Sequence, residues 1–365
     1  MRLLICAGGT GGGVYPALSV LDALGNRISE ILWVGSEGGM EADLVTRRNL
    51  PYRAIPAAGL HGVGLRKLPG NISQLANGIR ASRKILNEFQ PDVLFFTGGY
   101  VAAPMAYAGR RYPITLYVPD IEPGLALKFL ARFADSIALS AEESAAFFRH
   151  HKQIVITGYP LRSDFNRIPQ DKAKALLGLN TGKSAILIYG GSKGARSINQ
   201  AVLASLNELL ANYQVVHLTG QLDWESVSIA AASLDEDLRT NYFSFPYLHE
   251  EMGTALAAAD LVVCRAGAST LGELPFFDLP AILVPYPFAW RYQKVNADHL
   301  VNAGGAVIIE DKDLPLMLTA KIKELLSNKG RIEKMVSSMG AIARPDAARG
   351  IADLILETAR KKERG

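Results

Sequence analysis

The chain has 365 residues, which is more than one hydrophobic core usually supports, since single cores stop growing near about 250–300 residues. Hydrophobic residues make up 49% and charged residues 20%, a composition that excludes a disordered chain. The net charge of +4 lies in the first half: residues 1–159 carry 16 Lys and Arg against 12 Asp and Glu, and the remainder carries 23 of each. This distribution predicts an anionic partner for the first half, and we expect no nucleic-acid partner.

Two features bear on where such a protein works. Cys6 and Cys264 each lie in a short apolar run, so we predict buried, reduced thiols rather than a disulfide framework. No apolar stretch approaches the ~18–20 residues that a transmembrane helix needs. We therefore expect a chain that does not span a bilayer.

Short apolar runs alternate with longer stretches of helical periodicity. Continuous runs of β-branched residues are typical of strands that are buried on both faces of a parallel sheet. The predicted strands are, in chain order, Leu3–Ala7, Ile31–Val34, Val93–Phe96, Ile114–Val118, Ile154–Thr157, Ala185–Tyr189, Val215–Leu218, Tyr242–Phe245, Leu261–Cys264, Ala281–Val284 and Ala306–Ile309. The helical stretches between them indicate repeated βαβ units.

This pattern restarts in the middle of the chain. The first series of strands ends near Gly158, and a new strand at Ala185 leads into a second glycine-rich turn. We predict an α/β protein with two doubly wound domains, residues 1–160 and 161–345, that face a central cleft. A final helix, 346–362, is expected to pack back on the first domain.

Two glycine loops each follow a predicted strand and precede a helix. They are Gly8–Gly13 and Gly190–Arg196, and such loops let backbone N–H groups approach an oxyanion. The first lacks the acid that a dinucleotide fold carries at the end of its second strand, and the second lacks the Gly-Lys-Ser/Thr of a Walker loop. Together they indicate a phosphate-bearing ligand; the alternative is two tight turns without a ligand.

A third cluster, Arg265–Glu273, follows another apolar strand. Its helix opens with small and hydroxyl-bearing residues, whose exposed N–H groups suit a phosphate. Glu273, one turn into that helix, can accept two hydrogen bonds from a ribose diol. The alternative is a capped helix with a solvated glutamate.

Five ordered motifs carry a family resemblance. They are Gly8-Gly9-Thr10-Gly11-Gly12, Phe96-Thr97-Gly98-Gly99-Tyr100, Gly190-Gly191-Ser192-Lys193-Gly194-Ala195-Arg196, Arg265-Ala266-Gly267-Ala268, and Gln293 with Asn296-Ala297. In this order they resemble the MurG family, bacterial transferases that convert lipid I to lipid II in peptidoglycan synthesis. The resemblance covers nearly the whole chain and implies a GT-B fold.

The same resemblance implies an activity and a location. The N-terminal domain would take a lipid-linked acceptor and the C-terminal domain UDP-GlcNAc, with inverting transfer that needs no metal and no cofactor. The protein would be peripheral, on the cytoplasmic face of the bacterial plasma membrane.

The resemblance also assigns the substrate sites residue by residue. On the donor side Glu273 would hold the ribose, and Ala268, Ser269 and Thr270 the diphosphate. Leu248 would lie beside the uracil, and Gln293 and Asn296 near the sugar. The other implied donor residues are Arg162, Gly191, Ser192, Asn199 and Arg265. The implied acceptor residues are Thr10, Gly11, Gly12 and Tyr100.

Two departures from the family fall on the acceptor side. Gly13 stands where the family's first loop ends in a histidine, and the segment Tyr117–Leu125 replaces a His-Glu-Gln-Asn motif. An imidazole is a natural base for a sugar hydroxyl, and glycine cannot replace it. Either Asp120 or Glu122 has taken over as the base, or the acceptor differs, or catalysis is lost. Glu122 has the alternative role of capping the following helix.

Two further signals concern a membrane and a metal. Gly64–Lys84 carries apolar residues interleaved with Arg and Lys and contains no acid, which indicates an anionic membrane surface as partner. A helix that buries its apolar face is the alternative. Asp235-Glu236-Asp237 and Asp311-Lys312-Asp313 spell Asp-x-Asp, but both lie away from the motifs. We predict solvated surface for both and no metal.

The leading hypothesis is therefore transfer of GlcNAc from UDP-GlcNAc to lipid I. Two alternatives remain open: a paralogue that glycosylates a different lipid, and a non-catalytic protein that binds a UDP-sugar. A UDP-sugar epimerase of the same architecture is a further rival, and it would usually carry a fuller set of acid and base residues.

Overall fold

The computed structural model describes residues 1–8, 11–57, 68–151, 153–191, 194–288 and 292–363. The chain forms two units. Unit 1 comprises Met1–Arg162 and Pro345–Gly365, and unit 2 comprises Ser163–Arg344. Each unit is built on one parallel sheet flanked by helices.

The sheet of unit 1 has seven strands in the order β3-β2-β1-β4-β5-β6-β7. Their bounds are β1 Arg2–Ala7, β2 Glu30–Ser36, β3 Tyr52–Ile55, β4 Val93–Gly98, β5 Ile114–Val118, β6 Ser136–Leu139 and β7 Ile154–Ile156. The chain winds outward in one direction from β1 and in the other from β4. The carboxyl edge between these two strands is thus the topological switch point, where open α/β sheets bind ligands.

The sheet of unit 2 has six parallel strands in the order β10-β9-β8-β11-β12-β13. Their bounds are β8 Ala185–Tyr189, β9 Gln214–Leu218, β10 Tyr242–Phe245, β11 Leu261–Cys264, β12 Ala281–Leu283 and β13 Ala306–Ile308. The direction of winding reverses between β8 and β11, which places the switch point of unit 2 there.

Helices cover both sheets. Their bounds in chain order are α1 Gly11–Leu24, α2 Glu41–Thr46, α3 Leu68–Phe89, α4 Ala102–Ala108, α5 Leu125–Leu130, α6 Gln170–Leu176, α7 Arg196–Ala204, α8 Leu206–Asn212, α9 Trp224–Ala232, α10 Glu236–Arg239, α11 Met252–Ala258, α12 Thr270–Phe276, α13 Tyr292–Asn302, α14 Leu314–Ser327, α15 Lys329–Ala341 and α16 Ala347–Glu363. Short 3₁₀ turns lie at Gly25–Arg27, Glu142–Phe147 and Asp311–Asp313.

Each sheet packs an apolar core against its helices. In unit 1, alternate side chains of β1, β2, β4, β5 and β6 join buried residues of α3, α4 and α5 in one core. In unit 2, side chains of β8, β9, β11 and β12 meet α7, α8 and α14. The packing of two helix layers on a parallel sheet explains the continuous apolar runs of these strands.

The last helix, α16, belongs to unit 1. It packs on α1 and on β4, β5 and β6, with Ile351 and Ile355 fully buried. The hydroxyl groups of Thr358 and Ser136 share a hydrogen bond of 2.7 Å, and Arg27 donates to Asp353 at 2.8 Å. The C-terminal segment thus completes the sheet's cover in the unit where the chain begins.

Two Rossmann-like units confirm the predicted fold class. Within the described residues every predicted strand has a counterpart, and two strands were missed. The missed strands are β3, an edge strand with two exposed residues, and β6, whose four residues include Ser136 and a small alanine. Both are too short and too polar or small to produce a clear apolar run.

The two cysteines and the helices bear on the predictions of buried thiols and of a chain that does not span a bilayer. Cys6 and Cys264 are both buried and free, as predicted. Burial, with a smaller contribution from the Glu41 carboxylate, raises the pKa of the Cys6 thiol well above its usual range. Every helix in the described part of the chain is too short or too polar to span a bilayer.

Candidate active site

The first glycine loop of unit 1 lies at the switch point between β1 and β4. Gly98 and Gly99 both have positive φ angles, +115° and +87°. A Cβ added to Gly99 would lie 2.6 Å from the carbonyl oxygen of Gly8. Only glycine permits this approach of the two backbones. The loops that follow β1 and β4, both implied in acceptor binding, therefore touch each other.

The residues implied in acceptor binding flank this contact. Gly11 and Gly12 begin α1, while Thr10 lies outside the described residues. Tyr100 follows β4 in a turn and is 55% exposed. Its ring is thus available to a ligand at this edge of the sheet.

Gly13, where the family has histidine, lies in the first turn of α1. Its carbonyl oxygen accepts a hydrogen bond of 2.7 Å from the Thr97 hydroxyl. A Cβ added to Gly13 would lie 3.4 Å from that hydroxyl oxygen, which is an ordinary contact. The backbone therefore does not require glycine here, and the missing imidazole is a difference of side chain alone.

The two candidate bases lie on the segment that follows β5, the neighbour of β4. Glu122 is 6% exposed and Asp120 is half-exposed. Pro119 and Pro123, which flank Glu122 in the sequence, are both buried. The hydroxyl groups of Tyr117 and Ser140 share a hydrogen bond of 2.7 Å. Burial, aided by the Asp120 carboxylate, raises the pKa of Tyr117 well above its usual range. This segment is thus held firmly at the carboxyl edge of the sheet.

A buried carboxylate that sequence analysis missed lies beside the first glycine loop. Glu41 is fully buried and accepts hydrogen bonds from the backbone N–H and the hydroxyl of Ser36, at 2.7 and 2.6 Å. A Cβ on Gly8 would lie 2.4 Å from its Oε1. Burial, together with this carboxylate, raises the pKa of Tyr52 to about 12. Glu41 gave no signal in the sequence because it lies five residues beyond the end of β2.

In unit 2 the second glycine loop follows β8 at the switch point. Gly191 has a φ of +91°, and a Cβ there would meet no atom within 4 Å. By contrast, a Cβ on Gly194 would lie 2.2 Å from the Thr219 carbonyl oxygen. Ser192 lies outside the described residues. The loop is therefore packed against the sheet at Gly194 and open to solvent at Gly191.

Asn199, an implied donor residue on α7, is buried with 2% exposure. Its amide nitrogen donates to the Thr219 carbonyl at 2.8 Å and to Asp223 at 2.9 Å. Its amide oxygen lies 3.0 Å from Nε2 of His217, whose Nδ1 lies 2.8 Å from the Tyr242 hydroxyl. His217 lies inside a largely apolar strand, so the sequence pattern gives no sign of these partners.

Arg265 also forms hydrogen bonds within the protein. It is 9% exposed and donates to the Val284 carbonyl at 3.1 Å and to the Ser197 hydroxyl at 2.8 Å. It also forms an ion pair with Asp311. The prediction of a solvated Asp311 is therefore wrong, because this carboxylate faces the loop after β11 and neutralises a buried guanidinium.

The helix that follows β11 begins as the motif suggested. Ser269 donates from its hydroxyl to Glu273 at 3.1 Å, and the Thr270 hydroxyl donates to the Gly267 carbonyl at 2.7 Å. Ala268, Ser269 and Glu273 are half-exposed. A Cβ on Gly267 would meet no atom within 4 Å. An open backbone thus lies on each side of the switch point, at Gly191 and at Gly267.

Gln293 and Asn296 lie on α13 and are tied to two of these loops. Asn296 is fully buried and donates to the Ala266 carbonyl at 3.2 Å. Gln293 is half-exposed and accepts from the backbone N–H of Tyr286 at 2.9 Å. Asn296 therefore supports the loop after β11, and Gln293 supports the loop after β12.

The last two implied donor residues are Leu248, in the loop after β10, and Arg162, in unit 1. Leu248 is 7% exposed, and the rings of its sequence neighbours Tyr247 and His249 meet edge to face, with their centroids 4.7 Å apart. Arg162 is the last residue of unit 1 before the chain enters unit 2. Its guanidinium lies 5.9 Å from the centroid of the Tyr15 ring on α1. Among the described residues, no group of His, Cys, Asp and Glu could hold a metal ion.

Comparison with known proteins identifies the family. Residues 3–139 match the glycosyltransferase family 28 N-terminal domain, and residues 185–351 match the C-terminal domain of the same family. The solved structure of MurG from Acinetobacter baumannii is similar, with a TM-score of 0.75 and 25% identity over 98% of this chain and 99% of that one. A UDP-N-acetylglucosamine 2-epimerase from Listeria monocytogenes, at 13% identity and a TM-score of 0.69, shares the fold alone.

Curated relatives extend this similarity over the full chain. The protein named UDP-N-acetylglucosamine--N-acetylmuramyl-(pentapeptide) pyrophosphoryl-undecaprenol N-acetylglucosamine transferase from Desulforamulus reducens is 37% identical over 97% of both chains. The protein of the same name from Halothermothrix orenii is 35% identical over 99% of this chain and all of that one. The chain therefore belongs to glycosyltransferase family 28 and, within it, to the MurG family.

Proposed function

We propose that this protein transfers GlcNAc from UDP-GlcNAc to lipid I, the undecaprenyl-pyrophosphoryl-linked MurNAc-pentapeptide. The observation that carries the proposal is the similarity to MurG proteins over 97% of both chains. The arrangement of each unit supports it, since the glycine loops of both sheets lie at switch points, where open α/β sheets bind ligands. The family supports lipid I as acceptor over a different lipid.

Unit 2 would bind the donor at its switch point. The half-exposed carboxylate of Glu273 lies one turn into α12, within reach of a ribose diol, and the open backbones of Gly191 and Gly267 leave room for the diphosphate. Arg265, which the resemblance implies as a donor residue, would act indirectly. Because Asp311 and two carbonyls already hold its guanidinium, it fixes the loop after β12.

The chemistry is an inverting displacement at the anomeric carbon. The bond from that carbon to the β-phosphate oxygen breaks, and its electron pair leaves with UDP. The acceptor hydroxyl oxygen forms the new bond from the opposite face, and its proton passes to a base in unit 1. Backbone N–H groups aimed at the diphosphate stabilise the charge that grows on UDP. This scheme uses no metal and no cofactor.

The activity can be tested directly with labelled UDP-GlcNAc and a panel of lipid acceptors. We expect label to appear in lipid II when lipid I is the acceptor. Transfer only to another polyprenyl-linked sugar or to a diacylglycerol would favour a paralogue with a different acceptor. Binding of UDP-GlcNAc without turnover on any lipid would favour a non-catalytic binding protein.

Replacing Glu273 by Ala is expected to weaken UDP binding by roughly 1–3 kcal/mol, the scale for losing charge-assisted hydrogen bonds. Titration calorimetry of UDP with the wild type and the variant measures this difference. Glu333→Ala, which removes an exposed carboxylate from α15, serves as the matched control and should leave the affinity unchanged. Equal affinity of wild type and Glu273→Ala for UDP would remove Glu273 from the donor site.

We also propose a membrane-facing surface on unit 1, formed by α3, α4 and α5. Residues 64–67 of the predicted patch lie outside the described residues. In the described part, Arg80, Arg83 and Lys84 are exposed on α3, where Leu75 and Ile79 are half-buried. The neighbouring helices add exposed aromatic and aliphatic side chains next to cations: Tyr107 with Arg110 on its ring face, Leu125, Lys128 and Phe129.

Such a surface combines apolar insertion with attraction to an anionic leaflet. The location that we propose is the cytoplasmic face of the plasma membrane, as the family resemblance implies. An anionic leaflet on that face would bring unit 1 to the lipid-linked acceptor.

Replacing Arg80, Arg83 and Lys84 together by Ser is expected to abolish the preference of the protein for anionic over neutral vesicles. Each cation near an anionic surface contributes about 1 kcal/mol, and salt weakens the contribution. Vesicle co-sedimentation at low and high salt measures the effect. The matched control replaces three exposed lysines of unit 2, Lys172, Lys312 and Lys334, by Ser. Wild-type binding that is indifferent to lipid charge would instead favour a helix that only buries its apolar face.

A further inference from the structure

A hydrogen-bonded series of buried side chains lies next to the second glycine loop of unit 2. Because the Asn199 amide nitrogen donates to the Thr219 carbonyl and to Asp223, its oxygen must accept from Nε2–H of His217. Nδ1 of His217 then carries no proton and accepts from the Tyr242 hydroxyl. Each hydrogen bond in this series therefore has a defined direction, from Tyr242 through His217 to Asn199.

This series of hydrogen bonds ends at the Thr219 carbonyl, which the glycine loop contacts. The Thr219 carbonyl oxygen, which accepts from Asn199, is also the atom that a Cβ on Gly194 would meet at 2.2 Å. Asn199 itself lies one turn into α7, and its backbone N–H bonds the Ala195 carbonyl at 2.9 Å. The C-terminal end of the loop is thus packed against Thr219, the residue after β9, and runs into α7, and the side-chain amide of Asn199 links the two.

All of these groups are withdrawn from solvent. His217 and Thr219 are fully buried, Asn199 is 2% exposed and Tyr242 is 8% exposed. Both N–H bonds and the oxygen of the Asn199 amide are engaged within the protein. A buried network with every member satisfied holds one geometry, because any rearrangement leaves an unpaired polar group.

We propose that Tyr242 and His217 are positioning residues that hold Gly194 and Ala195 in place through Asn199 and Thr219, so that the open backbone at Gly191 can bind the diphosphate and sugar of the donor. This inference rests on the proposed function. It gives Asn199 a role other than the direct contact that the family resemblance implies. The donor would meet the open backbone at Gly191, and Asn199 would act from below the loop.

Tyr242→Phe tests the inference with little disturbance, since it removes one hydroxyl and keeps the ring. Without that donor the buried Nδ1 of His217 is left with no hydrogen-bond partner. We expect the affinity for UDP-GlcNAc to fall about 3- to 10-fold, the effect of losing one buried hydrogen bond. The affinity for uridine, which has no phosphate, should stay unchanged. A merely structural role would lower both affinities together.

Two further variants complete the experiment. His217→Phe should lower UDP-GlcNAc affinity more than His217→Gln, because the glutamine amide can still donate to Asn199. Tyr213→Phe, a half-buried tyrosine of unit 2 outside this series, is the matched control. Unchanged UDP-GlcNAc affinity in Tyr242→Phe, or an equal loss for uridine, would overturn the inference. A wild type that does not bind UDP-GlcNAc would instead overturn the proposed function.

Discussion

Glu122→Gln is expected to lower the turnover number by about 10²–10⁴-fold, the usual cost of removing a positioned general base. Gly13 has no side chain that could accept a proton, so a working transferase needs another base near the acceptor. Glu122 is favoured because it is buried between two buried prolines, which hold its carboxylate in one place and limit its contact with water. Measured turnover with labelled UDP-GlcNAc and lipid I tests this expectation.

The control variants separate catalysis from folding and donor binding. Asp120→Asn should cost less than Glu122→Gln, because the half-exposed Asp120 is held less firmly. Glu143→Gln, on an exposed carboxylate of the same unit, should leave turnover unchanged, and UDP affinity should be equal in all four proteins. Adding Gly13→His to Glu122→Gln should recover part of the rate, since a Cβ fits there. Near wild-type turnover in both Glu122→Gln and Asp120→Asn would exclude a substitute base in this segment.

The second large effect is a loss of stability in acid that depends on His217. Burial lowers the pKa of His217 from 6.5 to about 4 in the folded protein. The unfolded chain therefore takes up this proton first as the pH falls. The contribution of a neutral His217 is fully present above pH 6.5 and is lost between about pH 6.5 and pH 4. It amounts to about 3 kcal/mol, since each pH unit between the two pKa values is worth about 1.4 kcal/mol.

Urea unfolding of the full chain between about pH 7 and pH 4 measures this contribution. The difference in free energy of unfolding between wild type and His217→Gln should shrink by about 3 kcal/mol over that range. Carboxylates titrate in both proteins and cancel in the difference. His150→Gln, which removes an exposed histidine, should keep a constant difference from wild type. A pH-independent difference for His217→Gln would show that this histidine is not held neutral.

The sequence predicted the fold well because buried parallel strands leave a strong signal. Runs such as Leu3–Ala7 and Leu261–Cys264 are apolar throughout, and the glycine loops mark where such strands end. The same signal fails for β6, since a strand of four residues that begins with Ser136 lacks the length to stand out. It fails for β3 as well, because this strand lies at the edge of the sheet and its exposed Arg53 interrupts the apolar run.

The candidate site was less predictable, because a side chain's partners are often distant in sequence. Glu273 could be singled out from its place one turn into a helix, a local feature. Asp311 could not be paired with Arg265, since 46 residues separate them and the short motif around Asp311 resembled a solvated surface. His217 gave no signal either, because its hydrogen-bond partners come from another strand and from α7.

The return of α16 to unit 1 has a consequence for biosynthesis. Unit 2 is one continuous segment inserted between the two parts of unit 1, so a ribosome delivers all of Ser163–Arg344 before the helix that completes unit 1. Domains fold as units while the chain emerges. Unit 2 can therefore close first, whereas the face of β4, β5 and β6 on which α16 packs lacks this helix until the end of translation. Apolar surface that is exposed for that time makes the nascent protein prone to aggregation.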